Sequence, residues 1–322
     1  MESCRNDDST NLKSEIQNPM SPRQTATFLK QRLREAGLFP DARHGQNFLI
    51  DLNLLELLAR TAEVGPGDVV LEVGTGTGAL TALLAAQAAE VVTVEIDRHL
   101  FQLASEVLAD FDNVTMLHQD ALRNKNNFHQ NVLDAVRERM SAAPGRRFKL
   151  AANLPYSIAT PVISNLLRTD LDPVSLTVTI QKELADRITA RPGTKDYGAL
   201  SVWTQSLCAA EVVRVMPPTV FWPRPKVHSA IVQIVPVPQR RARIPDLRFF
   251  HGFVRAMFFH RRKFLRSEVL SAFKGRLEKL QADEILAALE LGPKARAEEL
   301  SVDTMLALCE RIREKVGDEP PV

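Results

Sequence analysis

The sequence predicts an α/β fold of the Rossmann-like, doubly wound kind followed by a small α-helical part, and three observations carry that expectation. First, Val69–Val73 is a short β-branched apolar run that leads into Gly74-Thr-Gly-Thr-Gly78, and an alanine- and leucine-rich helical pattern follows from Ala79 to about Ala89. Strand, tight turn and helix N-terminus in that order form the first half of a nucleotide-binding βαβ unit. Second, Glu90–Asp97 reads as another buried strand, and its Glu95 lies 21 positions after Gly74, the spacing at which an acid meets a ribose diol. Third, the composition changes after Pro238. The window Arg240–Arg266 holds nine Lys/Arg against one acid, Asp246, with six phenylalanines interleaved, and amphipathic helical spacing continues to Val316.

The glycine loop admits two readings. Glycines let a backbone approach a ligand with no Cβ between them, and the open helix N-terminus favours an anionic group; a plain tight turn has the same residues. The second strand favours the ligand. NAD and S-adenosylmethionine both carry the ribose that Glu95 would meet. The spacing Gly-x-Gly-x-Gly, in place of the Gly-x-Gly-x-x-Gly of a pyrophosphate binder, separates them only in part.

Length and composition bound the rest. At 322 residues, two domains are expected, and 45% hydrophobic with 25% charged residues is ordinary for a soluble globular protein. A net charge of +2 makes any nucleic-acid surface local. Cys4, Cys208 and Cys309 are far apart and no Cys/His cluster occurs, so neither a disulfide framework nor a metal site is indicated. Residues 1–24 are polar, with no apolar run for a signal peptide and with acids that argue against a transit peptide, and a disordered tail is expected. No apolar run is long enough to span a membrane. These features together lead to the expectation of a cytoplasmic protein.

In chain order, Thr25–Ala36 has helical spacing and stops at Gly37. The polar pair Gln46-Asn47 stands against Phe48-Leu49, either as a cap for a Leu52–Ala62 helix or as a lid over a ligand. Past the second strand, His99–Ala109 is helical and Val114–Asp120 is a third strand ending in an acid, at the carboxyl edge where doubly wound sheets bind ligands. Arg123–Arg147 is a polar, partly helical excursion. The fourth strand, Phe148–Ala152, ends in Asn153-Leu-Pro-Tyr156, and a fifth, Ser175–Gln181, leads into a charged helix, Lys182–Ala190. Arg191–Gly198 is rich in chain breakers and is expected to be mobile. Two late strands, Glu211–Val215 and Ser229–Val235, bracket the proline-rich stretch Pro217–Lys226.

The Asn153–Tyr156 motif discriminates between reactions, although a proline-stiffened turn is its plain alternative. An exocyclic adenine amine is a weak nucleophile because its lone pair is delocalised into the ring. The Asn153 side-chain carbonyl and the Leu154 backbone carbonyl, two acceptors before Pro155, can bind both amine hydrogens and localise the lone pair. Tyr156 offers a stacking face for a flipped or single-stranded base. Asparagine is neutral, so the chemistry is positioning and hydrogen bonding with no strong base.

Taken in order, Gly45-Gln-Asn-Phe-Leu49, Glu72-Val-Gly-Thr-Gly-Thr-Gly-Ala-Leu-Thr81, Gln119-Asp-Ala-Leu122, Asn153-Leu-Pro-Tyr156, Gln181-Lys-Glu183 with Tyr197-Gly198, Phe221-Trp-Pro-Arg-Pro-Lys-Val227 and Arg261-Arg-Lys-Phe-Leu265 resemble the small-subunit ribosomal RNA adenine N6-dimethyltransferases of the KsgA/RsmA type. The likeness covers about Thr25 to Arg313. It implies a class I S-adenosylmethionine-dependent methyltransferase domain over 25–239 and a C-terminal helical RNA-binding domain over 240–322. It implies dimethylation of two adjacent adenines in small-subunit (16S) rRNA by a monomer that needs no metal and no membrane.

By matched position, Asn47 and Leu49 border the cofactor, Gly74 and Gly76 form its loop, Glu95 takes the ribose and Asp120 the cofactor adenine. Asn153 lies beside the transferred methyl. Phe221 matches an aromatic that closes on the target base opposite Tyr156. Candidate RNA-binding residues are Arg224 and Lys226 in the proline-rich stretch and Arg261, Arg262 and Lys263 in the basic window, whose plain alternative is a solvated helix face. Two positions depart from the family pattern: His228 stands where an aspartate is usual, and Arg123–Arg147 is longer than usual. Alternatives from other classes are a large-subunit rRNA adenine methyltransferase of the antibiotic-resistance type and a noncatalytic RNA-binding relative. A nicotinamide dehydrogenase is least favoured, because no positioned His or Tyr/Lys acid accompanies the loop.

Overall fold

The computed structural model describes residue 31 and residues 47–260 and 263–321. The expected tail and, Gln31 excepted, the expected Thr25–Ala36 helix lie outside the described residues. Eleven strands are described: β1 (Phe48–Leu49), β2 (Asp68–Val73), β3 (Glu90–Glu95), β4 (Val114–His118), β5 (Leu122–Asn124), β6 (Asn127–Phe128), β7 (Arg147–Asn153), β8 (Ser175–Gln181), β9 (Cys208–Met216), β10 (Phe221–Trp222) and β11 (Ser229–Pro236). Seven of them form the central sheet in the order β4-β3-β2-β7-β8-β11-β9. All neighbours run parallel except β11, which is antiparallel to both β8 and β9. The chain builds outward from β2 through β3 to β4, then returns to lay β7 on the other side of β2. The carboxyl ends of β2, β3 and β7 therefore flank the point where strand order reverses, and a crevice opens there.

Period-two burial explains why these runs are strands. Val69, Leu71 and Val73 enter the core on one side of the sheet and Val70 the core on the other, so β2 is covered on both faces. The second side is closed by α1 (Leu52–Thr61) and α2 (Ala79–Ala85) through Leu55, Leu58, Leu80 and Leu84. Asp51 caps α1, its carboxylate accepting from Asn53 N at 3.0 Å and Leu54 N at 3.2 Å. The helix α3 (Arg98–Val107) is capped in the same way by Asp97.

Two charges are buried at the amino ends of the strands, far from the crevice. Asp68, with no exposed surface, accepts from Arg147 Nε at 2.8 Å and lies 3.1 Å from Lys149 Nζ, which also donates to the carbonyls of Ala62 and Glu63.

The opposite face carries α4 (Gln130–Ser141), α5 (Ala159–Leu166) and α7 (Ala199–Leu207), while α6 (Lys182–Thr189) follows β8. Neither α5 nor α7 was expected from the sequence. In α7, Ser201, Thr204 and Ser206 are buried along with Val202, Trp203 and Leu207, so no polar stripe marks a helix in the pattern. The third strand ends at His118, two residues earlier than expected, and Asp120 stands in the loop beyond it. The Arg123–Arg147 excursion resolves into the β5–β6 hairpin and α4.

The Arg191–Gly198 loop is anchored, contrary to expectation. Tyr197 is fully buried and its Oη donates to the Leu300 carbonyl at 2.9 Å, while Gly193 N donates to the Glu298 carbonyl at 2.7 Å. Breaker composition reported the turns and not the docking of one side chain.

After the short α8 (Pro238–Arg241) come α9 (Leu247–Met257), α10 (Leu265–Ala272), α11 (Lys279–Ala288) and α12 (Val302–Val316), with the Gly292-Pro293 break between the last two. Phe249, Phe250 and Phe253 of the basic window point inward, stacking or tilting against Phe273 and Trp203. Their core is continuous with that of the sheet.

Candidate active site

Four short loops at the carboxyl edge of the sheet and one segment above them build one cavity of about 280 Å³. Gly74, Thr75, Gly76 and Thr77 follow β2; Glu95 and Ile96 end β3; Gln119, Asp120 and Ala121 follow β4; Asn153, Leu154 and Pro155 follow β7; and Asn47, Phe48 and Leu49 close over the top. Asn47, Leu49, Gly74, Gly76, Glu95, Asp120, Asn153 and Leu154, drawn from five stretches of sequence, are thereby brought together.

The glycine loop is shaped by contacts that leave no room for side chains. Gly74 has φ +89°, and a Cβ there would stand 3.2 Å from Pro155 Cδ. Gly76 has φ +57°, and a Cβ would meet the Phe48 ring at 3.3 Å. Both positions need glycine for backbone angle and for space. The Gly74 contact also shows that the glycine loop touches the Asn-Leu-Pro-Tyr turn directly.

Glu95 is 5% exposed and holds the loop with both oxygens: Oε2 accepts from Gly76 N at 2.9 Å and Oε1 from Asp97 N at 3.0 Å. Burial raises its carboxyl above the usual range, and the two backbone donors hold that rise down. Each oxygen keeps a lone pair for a ligand hydroxyl. Asp120 is exposed at the cavity edge, its Oδ1 accepting from Leu122 N at 2.8 Å.

Sequence reasoning missed two polar groups of the wall. Glu72 is 1% exposed and accepts from Thr81 Oγ1 at 2.5 Å and Thr93 Oγ1 at 2.8 Å. Burial pushes its carboxyl up to about 8, so it is mostly protonated at neutral pH. Gln119 carries a buried amide nitrogen with no partner. The shared signal was position: Glu72 near the end of β2 and Gln119 just after β4 occupy the same edge as Glu95.

Asn153 Nδ2 donates to the Asn47 carbonyl at 3.0 Å, so the amide is clamped by its donor end and its oxygen is the end left for another partner. Leu154 N donates to the Thr179 carbonyl at 3.1 Å, which ties the turn to β8. Tyr156 is half-buried beside the cavity, its Oη 2.5 Å from Ser229 Oγ.

The Gln46-Asn47 question resolves with the work divided. Asp51 caps α1, while Asn47, Phe48 and Leu49 wall the cavity. Gln46 lies outside the described residues. The wall is held by pairing of β1 with β10 and by the Phe48–Trp222 stack, centroids 6.4 Å apart.

That pairing changes the reading of Phe221. Opposite Leu49 in the β1–β10 register, Phe221 is 2% exposed and packed with Leu49, Met216 and Ile231. Its expected stacking face is covered in this structure, and the partly exposed ring on β10 is Trp222. Arg224 and Lys226 are exposed on the segment between β10 and β11, and Lys263 is exposed before α10. Arg261 and Arg262 lie outside the described residues. Among the described residues no group of three His, Cys, Asp or Glu could hold a metal, and no helix is long and apolar enough to cross a membrane.

Residues 41–314 match the family model described as ribosomal RNA adenine dimethylase. The ribosomal RNA small subunit methyltransferase A of Moorella thermoacetica is 41% identical over 276 residues, 86% of this chain and 93% of that protein. Its namesake from Lactiplantibacillus plantarum is 41% identical over 271 residues, 84% and 89% of the two chains. Among solved structures, a dimethyladenosine transferase from Plasmodium falciparum superposes with a TM-score of 0.68 at 23% identity, covering 82% of this chain and 97% of that one. The 23S rRNA methyltransferase ErmE gives 0.57 at 25% identity over 82% and 99%.

Proposed function

This chain belongs to the ribosomal RNA adenine dimethylase family, and from that premise we propose that it transfers methyl groups from S-adenosylmethionine to the N6 amines of two adjacent adenines in small-subunit rRNA. It acts in the cytoplasm during ribosome assembly, as a monomer. The observation that carries this reading is the contact between the two loops: the glycine loop meets Pro155, and the Asn153 amide is fixed by Asn47 within the same cavity.

The cavity fits the cofactor. Its glycine cradle admits backbone approach, Glu95 offers acceptors for two ribose hydroxyls, and Asp120 offers one for an adenine amine. The unpartnered Gln119 nitrogen supplies a buried donor on the same wall. When bound, the cofactor supplies an electrophilic methyl on a sulfonium.

The protein's contribution is to the nucleophile. The Asn153 oxygen and the Leu154 carbonyl accept the two amine hydrogens, drawing the lone pair out of conjugation and aiming it into the cavity. Tyr156 supports one face of the base, and its Oη–Ser229 bond holds the ring in place. With every group at this end neutral or an acceptor, the amine proton leaves to solvent after transfer, and no side chain acts as a strong base.

The relatives' names favour the small subunit over the large one. The experiment is tritiated methyl transfer onto immature small subunits and, separately, large subunits, followed by nucleoside analysis. Label in N6,N6-dimethyladenosine on small subunits alone supports the reading; label on large subunits alone replaces it.

A further inference from the structure

The longer excursion after β4 has so far no part in the site. Its β5–β6 hairpin, Leu122–Phe128, carries Arg123 and Lys125 on an exposed turn. Two bonds fix where it sits. Asn165 Nδ2 of α5 donates to the Lys125 carbonyl at 3.2 Å, and Arg255 of α9 reaches Asn126 Oδ1 at 3.4 Å. A third contact, Ser164 Oγ to His251 Nε2 at 3.4 Å, joins α5 to α9 beneath. Hairpin, α5 and α9 thus form one surface.

The cations on that surface lack counter-charges. Arg168, just past α5, and Arg248, on α9, line a shallow cavity together with Arg241, Arg313, Asp246 and Asp318. The carboxylates nearby are committed: Asp246 caps α9 through Phe249 N, Asp318 pairs with Arg313, and Asp170 pairs with Arg137. Among the described residues Arg168, Arg248 and Arg255 have no carboxylate partner. The cost of this crowding registers on the groups themselves. Burial and then the charges of Arg255 and Arg248 lower the Arg168 guanidinium from its usual range. Burial, then Arg168 and Arg255, depress His251 to about 4, so the ring beneath the surface adds no charge at neutral pH.

Three guanidiniums on one surface, none with a carboxylate partner of its own, suit a polyanion. We propose that Arg168, Arg248 and Arg255, with Arg123 and Lys125 at the rim, bind the phosphate backbone of the substrate RNA at a patch separate from the target pocket. The inference rests on the proposed function for the identity of the RNA. Guanidinium forks suit phosphate oxygens, and such contacts fix orientation without reading sequence. The patch connects to the pocket through the chain: α5 begins just after the Asn153–Tyr156 turn and ends two residues before Arg168, and the hairpin begins two residues after Asp120.

The test is binding of a small-subunit rRNA hairpin, and of whole small subunits, measured against salt concentration without cofactor. The triple variant Arg168→Gln/Arg248→Gln/Arg255→Gln should lose about 0.7–0.9 units of log–log salt slope per lost phosphate contact. Cofactor affinity should be unchanged. In methyl transfer, KM should rise more than kcat falls.

Because Arg168 is half-buried, the pair Arg248→Gln/Arg255→Gln, both exposed, serves if the triple variant melts early, with the loss of two contacts expected. An unchanged salt slope in a folded variant overturns the proposal. So does loss of binding to an acidic polypeptide while RNA binding is retained. Absence of methyl transfer from the parent enzyme would count against the proposed function alone, since the slope is read without turnover.

Discussion

The side-chain amide of Asn153 donates to the backbone carbonyl of Asn47, 106 positions away in sequence, at 3.0 Å. One bond therefore links the wall above the cavity to the turn proposed to hold the target amine. It also settles which end of the amide is free. A carboxylate in its place sets oxygen against oxygen, and a buried acceptor left unpaired costs about 1–3 kcal/mol. Asn153→Asp should open the wall and weaken S-adenosylmethionine binding by roughly tenfold, as read by calorimetry. Unchanged affinity would show that the Asn47 clamp does not support the cavity.

Glu95 has two tasks, and its variants should separate them. Its oxygens hold the amides of Gly76 and Asp97 before any ligand arrives. Charge-assisted bonds of this kind contribute about 1.5–3 kcal/mol each. Glu95→Ala should weaken cofactor binding by at least about tenfold and lower Tm as well, because the loop loses its anchor. Glu95→Gln keeps an acceptor and should retain more of both. Full affinity in Glu95→Ala would remove the residue from the site.

Glu72 makes stability depend on pH. Its folded carboxyl titrates near 8, above the value of 4.5 expected when exposed. The raised value means the folded state holds a proton that the unfolded state releases. The associated stability is fully present below about pH 4.5 and is lost as pH rises through about 8. The difference is on the order of a few kcal/mol. Glu72→Gln mimics the protonated form and should flatten this part of the Tm–pH curve. A wild-type curve already flat between those limits would show that Glu72 is ionised in the fold.

At the opposite edge of the sheet, Asp68→Ala leaves Lys149 buried without its partner. Breaking a buried pair from one side costs about 3–5 kcal/mol. Thermal melts should show a large loss, while cofactor affinity per folded molecule stays the same. Loss of affinity in the folded fraction would mean that the two edges are coupled.

How much of this was legible in the sequence depended on whether a residue's role is local. Short apolar runs and the glycine loop placed β2, β3, β7 and β8, because a strand covered on both faces is written as apolar residues in a row. The cavity acids followed, since the end of a parallel strand is a fixed address. The burial of Phe221 was not legible because it is set by the pairing of β1 with β10, two-residue strands far apart in the chain. The α7 helix was invisible because it is buried all round, and the Arg191–Gly198 loop looked loose because the anchor of Tyr197 is the carbonyl of Leu300. The three arginines of the phosphate patch come from two segments and were read separately or not at all.

Whether Asn153 holds the target amine is decided by single-turnover methyl transfer onto small subunits by Asn153→Ala at saturating cofactor. Loss of one positioned hydrogen bond of this kind costs about a hundred- to a thousandfold in rate. That loss is expected in an enzyme that melts as a folded protein and still binds both cofactor and subunit. A folded, cofactor-loaded Asn153→Ala enzyme that transfers methyl at the wild-type single-turnover rate would show that Asn153 does not hold the amine.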